Sequence, residues 1–255
     1  MITTTKHIFD KPKIYPWDIP ELDWVDEGQI EYGRYIDFSH TDITILPDNM
    51  TVKGDLNLSD TSIAELPKKL TVNGNLHMEN TGITKLPDDL KVAYVLSIRG
   101  TKITHLPNNL HISGSLHIGE QPINKIPHGL SVDGGLDLRQ SPLTCLPDDI
   151  KVGGYLDLEN SNIRQLPHGL HVGGSLDIEG TQIKKLPDGL NIGQSLHMMN
   201  NKITELPNDL RVEGSLHVDS VITHIPKSVF IGRDLLIDDK EVLRDGITLD
   251  DDTNE

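Results

Sequence analysis

Leu66-Pro67-Lys68-Lys69-Leu70-Thr71-Val72-Asn73-Gly74-Asn75-Leu76-His77-Met78-Glu79-Asn80-Thr81-Gly82-Ile83-Thr84-Lys85 is one copy of a pattern that fills most of the chain. Its Leu-Pro pair returns at Leu46-Pro47, Leu86-Pro87, Leu106-Pro107, Ile126-Pro127, Leu146-Pro147, Leu166-Pro167, Leu186-Pro187 and Leu206-Pro207, in steps of 20 residues. A last copy, Ile225-Pro226, arrives one residue early. Self-similarity at a fixed short period marks stacked repeats, in which no unit buries its apolar face alone and each does so against its neighbours. The sequence therefore predicts a β-rich solenoid of about ten coils.

Within the copy, Leu70, Val72, Gly74, Leu76 and Met78 alternate with polar residues at period two, which is extended and not helical. Leu66, Leu70, Val72, Leu76, Met78 and Ile83 are the inward columns, expected to stack on their equivalents one coil away. Gly54, Gly74, Gly114, Gly134, Gly154, Gly174 and Gly214 share one column between the two extended pieces, where a bend or a close backbone approach excludes a Cβ. Proline marks the other corner, fixing φ and donating no hydrogen bond.

The repeats divide the chain into an amino-terminal cap at 1–35, a solenoid at 36–237 and a carboxy-terminal cap with an acidic tail at 238–255. The cap holds both tryptophans, Trp17 and Trp24, and the tail ends in Asp250-Asp251-Asp252-Thr253-Asn254-Glu255. Aromatics make up only 4% of the chain, which suits a narrow aliphatic core. The net charge of −16 sets the chain against phosphate backbones and anionic lipid, so neither nucleic acid nor a membrane is an expected direct partner. That charge is uneven, with eight acids against two bases in 238–255 alone. The single cysteine, Cys145, forms no intramolecular disulfide, and a reducing compartment follows as the expectation. Met1-Ile2-Thr3-Thr4-Thr5-Lys6-His7 contains no apolar run of signal-peptide length, giving the expectation of a protein that is cytoplasmic or delivered into a host cell without a classical signal.

The segment Leu76-x-Met78-x-x-Thr81-x-Ile83 resembles the signature of the leucine-rich repeat family. With the Leu-Pro that follows and the 20-residue period, it is most similar to the short bacterial repeats of secreted enteric effectors. The resemblance covers residues 36–237, from the partial coil Ile36-Asp37-Phe38 to Leu235-Leu236-Ile237. Two columns depart from it: the first signature leucine is polar (Lys53, Asn73, Ser113), and the asparagine is usually Thr or Ser (Thr61, Thr81, Thr101, Ser161, Thr181). These departures leave a parallel β-helix-like cross-section as the alternative. Some effectors with similar repeats carry a separate cysteine-dependent ubiquitin ligase domain. Cys145 instead sits inside a repeat, in a column otherwise held by Glu65, Lys85 and Gln165, and reads as an incidental surface residue.

What the resemblance implies for function is a binding surface on the concave side, where the Leu-x-Leu strand presents its middle residue. That column runs Asp37, Asn57, His77, Ser97, His117, Asp137, Asp157, Asp177, His197 and His217. Two residues on lie Arg99, Arg139, Glu159, Glu179 and Met199. Aspartates stacked on successive coils repel one another unless a cation or a basic partner offsets them. The candidate partner-binding residues are therefore His117, Asp137, Tyr155, Asp157, Glu159, Asp177, Glu179 and His197, facing a protein with a basic patch. The same column also reads as a polar face that only keeps the solenoid soluble. Protonation of His77, His117, His197 and His217 would make binding pH-sensitive.

No catalytic constellation stands out, because the repeats scatter Ser, His and Asp, and the glycines follow the repeat and not a phosphate-loop spacing. The expectation is a non-catalytic protein-protein interaction effector or inhibitor, monomeric, with no cofactor and no metal. Adjacent His197 and His217 keep a metal site in view as a lesser reading. Two alternatives use the acids differently: a DNA-mimicking inhibitor of a nucleic-acid-binding enzyme, and a carbohydrate-active β-helix with paired carboxyls as acid and base. The threonine column also suggests an ice-binding surface, although it is interrupted and set among charges.

Overall fold

A computed structural model describes residues 23–25, 29–32, 35–108 and 110–242. They form a parallel β-solenoid with two short strands in each coil and no helix among the described residues. The second strand of each coil, Leu-x-Leu in sequence, builds one twelve-stranded sheet from Tyr35–Asp37 to Lys240–Val242. Its parallel register joins each residue to its equivalent one coil on, as in Leu136 with Leu156 and Leu156 with Leu176.

The first strands, carrying the valine column, form a second ladder on the other side of the coil. This ladder is split: five strands end at Lys91–Val92, and seven run from His111–Ile112 to Phe230–Ile231. A cleft of about 480 Å³ opens at the split, with Leu90, Val92 and Leu110 at its base and Lys91 and His111 at its rim.

The inward columns are the core. Leu56, Leu76, Leu96, Leu116, Leu136, Leu156, Leu176, Leu196 and Leu216 are all fully buried, as are Ile63, Ile83 and Ile103 at the next corner. Burying each such side chain contributes about 1.5–3 kcal/mol, and the contribution depends on the coils to either side being in place.

Three side-chain devices shape the corners. In the glycine column the reason is close approach: a Cβ at Gly134 would lie 2.7 Å from the carbonyl carbon and oxygen of Gly114. At the opposite corner the backbone enters the left-handed region at Asp60, Asn80, Gly100, Asn160, Gly180 and Asn200, residue types that tolerate it, and also at Glu120 and Gln140, which are less suited to it. The threonines of the signature column are buried, and the hydroxyls of Thr61, Thr81, Thr101 and Thr181 donate to the carbonyls of Leu58, Met78, Ile98 and Ile178 at 2.7–2.9 Å. Because that column faces inward, the ice-binding reading of it is corrected.

Both ends of the parallel stack change direction. Asp23–Val25 and Gln29–Tyr32 pair antiparallel before the first coil, and Leu235–Ile237 and Lys240–Val242 do so after the last. Trp17 and the tail from 243 onward lie outside the described residues, as does the side chain of Trp24.

Candidate functional site

The twelve-stranded sheet brings the sequence-derived candidates onto one face. His117, Asp137, Asp157, Asp177 and His197 are consecutive partners across five strands. Neighbours there stand about 4.8 Å apart, the spacing of strands in a sheet. Tyr155 lies two residues before Asp157, and Glu159 and Glu179 lie two residues after the aspartates.

The aspartates have a local task. The Oδ1 atoms of Asp137, Asp157 and Asp177 accept the N–H of Arg139, Glu159 and Glu179 at 2.9–3.1 Å, turning the chain out of the strand. Asn57 makes the same turn with Ser59 at 3.0 Å. A neutral amide oxygen thus serves the turn, and the three negative charges exceed what the turn requires.

Asp137 does not hold an open charge. It is 2% exposed and is bonded by the guanidinium groups of Arg99 and Arg139, the latter at 3.1 Å. The expectation that Asp137 offers its carboxylate to a partner is therefore corrected: two arginines consume it. Arg139 also reaches Asp157, Nε to Oδ2, at 3.2 Å.

Two glycines give this cluster room. Arg99 crosses a whole coil to reach Asp137, passing over Gly119, where an added Cβ would sit 3.0 Å from Asp137 Oδ1. Tyr155 crosses a coil in the opposite direction, and its hydroxyl meets His117 Nε2 at 3.2 Å. Its ring lies over Gly135, where a Cβ would come within 2.0 Å of Cε1. Burial and the neighbouring Arg99 hold the His117 imidazole below the ordinary histidine range, while burial and Asp157 push the Tyr155 phenol up. A protonated phenol donating to a neutral imidazole fits both directions.

Beyond the two arginines the face carries acids alone. Burial, then Asp177 alongside, raise the Asp157 carboxyl above its usual range, with Arg139 and the Glu159 N–H opposing. Glu159 accepts from the Asn160 amide at 2.9 Å, and Glu179 from the Asn200 amide at 2.8 Å. The face is thus zoned: an arginine-linked cluster of Arg99, Asp137 and Arg139, then Asp157, which Arg139 also touches, with Glu159, Asp177 and Glu179 on two adjacent coils. After them come His197 and His217, whose rings stack with centroids 4.2 Å apart.

Arg99 and Arg139 are visible in the sequence column, but their shared target is not. The available signal was Gly119 and Gly135 standing where other coils carry side chains. Cys145 is exposed, and no group of three or more His, Cys, Asp or Glu among the described residues is arranged to hold a metal ion. No helix of the described residues is long and apolar enough to cross a membrane. No protein-family model matches the chain, and neither does any curated protein.

Proposed function

We propose that the chain is a non-catalytic macromolecular binding module that engages a basic protein surface through the exposed face of its twelve-stranded sheet. The observation that carries this reading is the quartet Asp157, Glu159, Asp177 and Glu179. The turns need only neutral acceptors, as Asn57 supplies, yet four carboxylates occupy two adjacent coils. Asp157 and Asp177 are direct partners in the sheet, an unfavourable placement to which Arg139 brings one cation, 3.2 Å from Asp157, against four acids. Lys or Arg side chains of a partner would relieve it while the sheet supplies a rigid platform. Tyr155, 39% exposed and fixed by His117, adds an aromatic contact beside the acids.

The arginine-linked cluster sets the limit of the acidic zone and gives the face a polarity along the solenoid axis. A partner matched to it carries its basic residues opposite 157–179 and tolerates Arg99 and Arg139 at one side. The family reading that accompanies this function is a leucine-rich-repeat effector or inhibitor that acts by occupying its target.

The test is affinity capture from a lysate of the source or host cells with the wild type and an Asp157→Lys/Asp177→Lys variant of unchanged circular dichroism. The wild type is expected to retain a partner that the variant loses. Equal recovery by both would remove this face from the account.

A further inference from the structure

His197 and His217 are Cα partners on adjacent strands, and their rings stack with centroids 4.2 Å apart and planes 26° from parallel. Both are half-buried on the face carrying the acidic quartet, and His197 is the direct sheet partner of Asp177. No other neighbouring pair in that column is His with His, so this is the one step of the ladder where protonation alone can place two like charges in contact.

From this geometry we propose that the stacked pair is a proton-operated switch on the docking face: neutral, it stacks and leaves the acidic zone at full charge, and protonated, it separates and cancels that zone. The proposal rests on the docking function above and names its regulation.

Two neutral imidazoles stack without electrostatic cost. Burial opposes a first proton on His217, and the carboxylates around the pair favour it: Asp239 and Asp234 near the last strand and its turn, and Asp177 on the strand before His197. Two other acids close by are engaged elsewhere, Asp219 with the Asn200 N–H at 2.7 Å and Glu179 with the Asn200 amide at 2.8 Å. Leu236, the sheet partner of His217 on its other side, offers no charge. A second proton then meets a like charge across the stack, where the ring centroids are 4.2 Å apart. Burial, and His197 beside it, already hold the His217 imidazole below the ordinary range, against the pull of Asp239, Asp177 and Asp234. Once charged, the rings stand beside Asp177 in the position a partner's Lys or Arg would take.

The experiment follows the imidazole Cε1–H resonances from pH 8 to 5 in the full chain, in His197→Gln and in His217→Gln. It also measures hexalysine affinity at pH 7.5 and 5.5 in the wild type, His197→Gln/His217→Gln and Asp157→Asn/Asp177→Asn. The expected result is that His197→Gln moves the His217 midpoint upward, and that hexalysine affinity falls about tenfold on acidification in the wild type but clearly less in the double glutamine variant. An unmoved His217 midpoint overturns the pair as a coupled unit, and equal pH dependence in wild type and double glutamine variant overturns the switch. Hexalysine affinity at pH 7.5 that is unchanged in Asp157→Asn/Asp177→Asn removes the docking surface itself, whatever the titrations show.

Discussion

Gly135 has no side chain in a column where the flanking coils carry Ser115 and Tyr155, and the Tyr155 ring occupies the vacancy. Gly135→Ala would displace the ring and break its bond to His117. Because the ring is exposed on its outer side and can swing away, the loss of stability is expected to stay near 1 kcal/mol. The His117 midpoint, read by NMR, is expected to rise as the imidazole gains water. A second residue-scale prediction concerns the buried hydroxyls of Ser141 and Ser161, which have no hydrogen-bond partner among the described residues. Four threonines in the same column each bond a carbonyl three residues back. Ser161→Thr is therefore expected to stabilise the fold by about 0.5–1 kcal/mol, read as a raised denaturation midpoint. Residue-scale chemistry of this kind was only partly legible beforehand. The aspartate column was visible, but its turn-forming role was not, because a side chain accepting an N–H two residues on leaves no periodic mark. The pairing of Asp137 with two arginines depends on which side chains are missing between them, and that becomes readable only once the coils are stacked.

The two ladders depend on different constraints. The parallel pairing of the coils' second strands runs unbroken through eleven strands before the antiparallel Lys240–Val242, whereas the valine-bearing ladder is divided between Lys91–Val92 and His111–Ile112. In the coil beyond, the amides of Ser131 and Asp133 bond the carbonyls of Leu110 and Ile112 at 3.0 and 2.9 Å. Hydrogen exchange is accordingly expected to be faster at His111 and Ser113 than at Ser131 and Asp133. Gly134→Ala tests the close approach of coils, since its Cβ would meet backbone, which cannot rotate aside. A loss of about 1–3 kcal/mol is expected in chemical denaturation. The strands, the inward columns and the glycine column were all legible in the sequence because every coil repeats the same steric demand. The split was not, since Tyr94 in the glycine column was its nearest sequence irregularity and Gln194 shares that column without a split.

At the scale of the molecule, charge and fold meet in the pH dependence of stability. His117 and His217 have imidazoles held below their ordinary range, so the fold disfavours their charged forms. Their contribution is present above the unfolded histidine value of about 6.5 and is lost as pH falls through the folded values. Asp157 works in the opposite sense: with its carboxyl raised, the stability it adds is present below the unfolded aspartate value and is lost as pH rises through the folded one. The melting temperature is thus expected to fall between pH 7.5 and 5, and His217→Gln to flatten that fall. At neutral pH Asp177→Asn should keep its turn and relieve Asp157, leaving stability equal or higher by a few tenths of a kcal/mol while weakening partner binding. Docking through the acidic zone is the central claim, and site-specific photocrosslinking tests it most directly. A benzoylphenylalanine is placed at Ser175, the residue that enters the Leu176–Asp177 strand of the twelve-stranded sheet, or at Lys151 on the opposite ladder, before exposure to the source or host lysate. Adducts formed from position 175 and absent from 151 are the expected result, and adducts formed from 151 alone would contradict it.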